Sequence, residues 1–147
     1  MERRLISSGS PYEAVYGYSR AVVAGDRVHV SGTCASMPED APPPADAAAQ
    51  ARRCWEIIGA ALAEAGAGLA DVVRIRAYLT RLEDFDAVGR VHGELFGEGI
   101  RPANTTVVVA ALVDPRFLVE IEAEAQLPGR GAAGRAATGR GATRMRP

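Results

Sequence analysis

Residues 117–126 read Phe-Leu-Val-Glu-Ile-Glu-Ala-Glu-Ala-Gln, and their alternation of apolar and acidic side chains fits an extended strand with one buried face. Val119, Ile121 and Ala123 point one way, and Glu120, Glu122 and Glu124 point the other. Like charges at period two are unfavourable unless they are solvated or paired. The segment Asp71–Thr80, rich in Val, Ile and Tyr, is a second strand whose Arg74, Arg76 and Tyr78 share a face and supply the partners. A cross-strand ion-pair ladder then accounts for Glu122 and Glu124. Glu120, nearest the start of its strand, is left as the candidate catalytic carboxylate, able to orient a water for attack.

Outward from this pair, Asn104–Leu112 is a further strand, joined to the last through Asp114-Pro115. Upstream, Ala14–Val23 and Arg27–Thr33 are expected to be strands turned at Ala24-Gly25-Asp26. Residues 34–44 contain Pro38, Pro42, Pro43 and Pro44 and must be loop. From Ala45 to Ala65 the apolar spacing is helical, through Ala48, Ala51, Trp55, Ile58, Leu62 and Ala65, and Gly66-Ala67-Gly68 ends the helix. A second helix, Asp84–Phe96, places Phe85, Val88, Val91, His92 and Leu95 on one side before Gly97 and Gly99. The order ββαβαββ predicts an α+β fold, a mixed sheet with two helices packed on one face.

The length of 147 residues predicts one domain, spanning residues 1–127. Apolar residues make up 48% of the chain but aromatics only 5%, so the core rests on Val, Ala, Leu and Ile. No apolar run approaches the roughly 20 residues of a membrane span, and Met1–Leu5 opens no long apolar segment. Cys34 and Cys54 fit no metal spacing and suggest no disulfide framework. A cytoplasmic location with reduced thiols is expected. All 18 acidic residues but only 12 of the 17 arginines fall in residues 1–127, which leaves that body with a net charge of −6. Such a body argues against a nucleic-acid-binding surface. Residues 128–147, PGRGAAGRAATGRGATRMRP, have no apolar periodicity and are expected to be a disordered tail. The chain has no P-loop, GxGxxG, HExxH or CxxC motif, and His29 and His92 read as structural imidazoles.

Several short motifs, in order, resemble the RidA/YjgF family. The segment Arg101-Pro102-Ala103-Asn104-Thr105-Thr106-Val107, followed by Val119-Glu120-Ile121-Glu122-Ala123, is similar to that family's C-terminal signature. Tyr18, upstream of Val30-Ser31-Gly32, matches its N-terminal signature, and Gln50-Ala51 and Leu82-Glu83-Asp84-Phe85 fit as well. The resemblance implies a chorismate-mutase-like fold forming a homotrimer, with a small-molecule cleft at each subunit interface and no cofactor or metal. It further implies hydrolysis of enamine or imine intermediates to 2-keto acids and ammonia. On that basis Glu120 orients the water, Tyr18, Ser31 and Gly32 frame the site, and Gly89, Asn104, Thr105 and Thr106 complete the substrate-binding set.

The resemblance also exposes departures. Asn104 stands where the deaminating members have a carboxylate-clamping arginine, Thr106 where many have cysteine, and Gly89 where an asparagine often faces the cleft. A guanidinium grips a carboxylate through two charge-assisted bonds, whereas asparagine offers one neutral amide. Losing that clamp is expected to weaken binding of α-amino-acid-derived imines by roughly 10–100-fold. Arg101 lies three residues earlier and, if the chain is extended there, faces the opposite side. The leading expectation is a hydrolase acting on an imine or enamine without the usual α-carboxylate. The alternatives are a trimer that binds a metabolite without transforming it and, remotely, an endoribonuclease. The charge of the body and the lack of a His pair or metal motif speak against the last.

Overall fold

The computed structural model describes residues 3–129, so all but the first two residues of the Gly/Ala/Arg tail lie outside the described residues. The elements are β1 (Arg3–Ile6), α1 (Tyr12–Tyr16), β2 (Ala21–Ala24), β3 (Arg27–Cys34), α2 (Ala47–Ala65), β4 (Val72–Leu79), α3 (Phe85–Phe96), β5 (Ala103–Val108) and β6 (Val119–Gln126). One six-stranded sheet runs in the order β1-β2-β3-β6-β4-β5. β6 is antiparallel to both β3 and β4, and β5 pairs parallel to β4. The strand read first therefore sits inside the sheet, and its Val119, Ile121, Ala123 and Ala125 are buried under the helices.

The long helix forms where its spacing requires. Asp46 caps it by accepting a hydrogen bond from the Ala49 amide at 2.9 Å, and Gly66 closes it at φ 88 in the left-handed region that glycine tolerates. Its buried stripe includes Ala51, Cys54, Trp55, Ile58 and Leu62, and it lies over β3 and β6 with α3 beside it. Trp55 meets His92 and Phe96 of α3 edge-on, at ring separations of 5.7 and 4.8 Å. Gln50 is fully buried within this packing. It donates to the Pro44 and Arg116 carbonyls at 2.8 and 2.9 Å and accepts from the Leu118 amide at 2.8 Å. The side chain thus ties the proline loop and the entry to β6 to the first turn of α2. Among the described residues no helix is long and apolar enough to cross a membrane.

Two expectations are corrected at the N-terminal end. β1 pairs antiparallel with β2, although four residues with two arginines gave no strand signal. The expected strand Ala14–Val23 is extended only from Ala21; before it, Tyr12–Tyr16 forms a short helix closed by Gly17 at φ 69. The cause is local. Glu13 accepts from the Ser7 hydroxyl at 2.6 Å and from the Ser8 amide and hydroxyl at 2.7 Å each, which folds the chain back over its own carboxylate. The proline-rich loop also holds one short helical turn, Pro38–Asp40.

Candidate functional site

The alternation of β3 breaks at one place, and that break builds the site. Val30 pairs with Ala123 and Thr33 with Ile121, so Ser31 and Gly32 together oppose the single residue Glu122. This β-bulge turns Thr33 into the core and leaves Gly32 exposed. Arg20 stabilises it. Its Nη2 donates to the Ser31 carbonyl, to the Gly32 carbonyl at 3.0 Å and to the Thr33 hydroxyl at 2.8 Å. The Ser31 hydroxyl in turn donates to the Ser19 carbonyl at 2.7 Å, which fixes the segment below Tyr18.

Glu120 of β6 lies over this bulge. A Cβ added to Gly32 would overlap the Glu120 carboxylate and stand 3.1 Å from its Cδ, so only glycine leaves room for this rotamer. The other carboxylate oxygen is met by Cys34, its cross-strand neighbour, whose Sγ lies 3.7 Å from Oε2. The remaining acids on this face already share a cation. Arg76 bonds Glu122 at 2.9 Å and Glu124 at 3.0 Å, and the Tyr78 hydroxyl donates to Glu122 at 3.2 Å. The expected ladder thus forms through Arg76 alone. Arg74, although opposite Glu124 in register, turns its Nη2 to the Thr105 hydroxyl at 3.5 Å. Among the described residues Glu120 has no cation within ion-pair distance, which leaves it open to a reactant.

The carboxylate faces a cavity of about 850 Å³ lined by Tyr12, Tyr18, Arg20, Ser31, Gly32, Cys34, Ile57, Val113, Phe117 and Glu120. Four expected site residues, Tyr18, Ser31, Gly32 and Glu120, are therefore brought together in one chain. Sequence reasoning missed Arg20, Cys34, Tyr12 and Phe117, because the bulge, α1 and the turn before β6 that aim them carry no periodic signal.

The other expected residues lie elsewhere. Asn104, on the edge strand β5, donates from Nδ2 to His92 Nδ1 at 3.4 Å and accepts from the Thr106 hydroxyl at 3.4 Å. It lines a separate cavity with His92, Gly93 and Arg101. Gly89 is exposed on α3, and a Cβ there meets nothing within 4 Å. Thr105 points to the opposite face from Asn104 and Thr106, toward Arg74. Arg101 departs from its expected orientation. Its φ of 39 is not extended, and the turn puts it in the same cavity as Asn104.

Burial and the nearby Glu120 carboxylate push the Cys34 thiol far up, and burial pushes Cys54 to about 12. Both thiols stay protonated at neutral pH, and Cys34 can donate its S–H to Glu120. Iodoacetamide at pH 8 is expected to leave both cysteines unmodified in the folded protein and to label both in urea. Mass spectrometry checks this; rapid labelling of native Cys34 would contradict the half-buried, carboxylate-bound thiol. His92 is held neutral, its pKa lowered to about 4 by burial. Among the described residues no cluster of His, Cys, Asp and Glu suits a metal ion.

Comparison with known proteins gives the same fold and a lineage. Residues 9–127 match the family profile described as endoribonuclease L-PSP. The chain is 43% identical over 122 residues to an uncharacterized protein of Streptomyces coelicolor, covering 83% of this chain and 90% of that one. It is 30% identical over 124 residues to TdcF of Escherichia coli, a proposed reactive intermediate deaminase, covering 82% of this chain and 95% of that one. The crystal structure of Rv2704 from Mycobacterium tuberculosis, described as a member of the YjgF/YER057c/UK114 family, superimposes with a TM-score of 0.77 at 46% identity, covering 86% of this chain and 100% of that chain. Its α+β sheet and these relatives make the chain a member of the RidA/YjgF family.

Proposed function

We propose that this protein hydrolyses an imine or enamine that lacks the usual α-carboxylate, in clefts each built from two copies of the chain. The observation that carries the reading is the unpaired Glu120 carboxylate, held between Gly32 and Cys34 at the wall of the large cavity. Glu120 orients a water and accepts its proton as the oxygen adds to the imine carbon. The resulting carbinolamine receives that proton on nitrogen; as its hydroxyl proton passes to Glu120 the C–N bond breaks, releasing ammonia or an amine and the carbonyl product. An enamine substrate first takes a proton on carbon to give the imine.

Within one chain the Glu120 cavity and the Asn104 cavity are lined by different residues. A symmetric homotrimer that sets one cavity against the other unites them. The E. coli relative's name supports deamination of reactive intermediates. The substrate differs because Asn104 cannot clamp an α-carboxylate as an arginine does.

The test is ammonia release from 2-aminoacrylate and from enamines without an α-carboxylate. The wild-type protein is expected to favour the latter, and Asn104→Arg to raise 2-aminoacrylate turnover about tenfold. No turnover of any enamine, with ligand-induced thermal stabilisation alone, would favour a trimer that only binds its metabolite.

A further inference from the structure

We infer that Arg101 and the amide of Asn104 form a carboxylate-binding subsite in the second cavity, so that the substrate carries an anionic group away from its reacting carbon. The identity of the ligand rests on the proposed hydrolysis; the binding itself does not.

The cation is placed by backbone geometry. At φ 39 the chain turns back after α3, and the Arg101 amide donates to the Phe96 carbonyl at 3.0 Å while Nε donates to the Gly97 carbonyl at 3.1 Å. These two bonds answer carbonyls at the helix end, the partial negative charge that would otherwise repel an anion. Among the described residues the two Nη groups find no acceptor, and no carboxylate lies within 4.0 Å of the guanidinium. A role as a helix cap accounts for the backbone amide and Nε, and because Arg101 is exposed its Nη donors face solvent and are open to a ligand. Their planar array suits the two oxygens of a carboxylate.

The neighbours define the rest of the ligand. Thr106 holds the Asn104 oxygen, which turns Nδ2 toward His92 and leaves its second N–H available. His92 is neutral and adds no competing charge, and its Nε2 is buried with no partner among the described residues. Ile75, Phe96 and Pro102 supply apolar walls, and Gly93 leaves bare backbone where a Cβ would meet nothing within 4 Å. The cavity of about 300 Å³ suits a short carbon chain ending in one carboxylate. The guanidinium stands three residues from the Asn104 position, so the anion it holds differs in place from the α-carboxylate held by an arginine there.

The experiment titrates the full chain with butyrate and with butyramide at fixed ionic strength, following the side-chain nitrogen–proton signals of Arg101 and Asn104. Butyrate is expected to shift both signals and butyramide neither. Arg101→Gln is expected to weaken butyrate binding about tenfold or more. Gly93→Leu, which fills the cavity without meeting a neighbouring atom at Cβ, is expected to abolish it. Glu120→Gln, which removes a negative charge from the shared cleft, should bind butyrate at least as tightly as the wild type does. Equal binding of butyramide, unchanged affinity in Arg101→Gln, or loss of binding in Glu120→Gln would overturn the subsite. Turnover that survives Glu120→Gln, with butyrate binding intact, would instead refute the hydrolytic reading and leave the subsite standing.

Discussion

Glu120→Gln is expected to lower enamine hydrolysis at least ~100-fold, the usual contribution of a positioned acid–base group. The substitution keeps the shape of the side chain and an oxygen able to accept from Cys34, whose Sγ lies 3.7 Å from Oε2. What it removes is the capacity to take a proton from water. The sheet is expected to be undisturbed, because Glu120 forms no ion pair among the described residues and Arg76 satisfies Glu122 and Glu124. Initial rates of ammonia release, measured beside a thermal melt, check both halves. A variant of normal stability that keeps more than a tenth of the wild-type rate would remove Glu120 from the chemistry.

Gly32→Ala is the second large effect, with an expected loss of about 100-fold, the scale of a 1 Å displacement of a reacting group. The new methyl would stand where the carboxylate now lies, 3.5 Å from the Glu120 Cγ. The backbone cannot easily retreat, since Arg20 holds the carbonyls of both bulge residues, Ser31 and Gly32. Glu120 must therefore leave its rotamer. Because the damage passes through that one side chain, Gly32→Ala combined with Glu120→Gln should be no slower than Glu120→Gln alone. Additive losses would give Gly32 a role independent of the carboxylate.

These residues also show where sequence reading succeeds. Regular elements are legible because burial imposes a period. The 3.6-residue spacing from Ala48 to Ala65 gives α2 to within two residues, and the two-residue alternation of β6 separates Glu120 from the core. Arg76 pairs with Glu122 and Glu124 because register makes them neighbours. Irregular geometry leaves no such trace. The bulge at Ser31-Gly32 inserts one residue and is marked only by a glycine inside the strand, yet it decides that Glu120 and Gly32 touch. Arg101 would face the opposite side only in an extended chain, and a non-glycine residue at φ 39 removes that condition. Likewise α1 arises from three hydrogen bonds to Glu13 and not from an amphipathic stripe; none of its residues is buried.

Complementation between two disabled variants tests most directly whether the reacting carboxylate and the Asn104 side belong to different copies of the chain. Glu120→Gln removes one half, and Gly93→Leu, at an exposed position that lines the Asn104 cavity with open space at Cβ, obstructs the other. Equal amounts are unfolded together, refolded and assayed. In randomly mixed trimers about a quarter of the clefts receive both intact halves, so about a quarter of wild-type turnover should return. Turnover no greater than the mean of the two separately refolded variants would contradict a shared cleft.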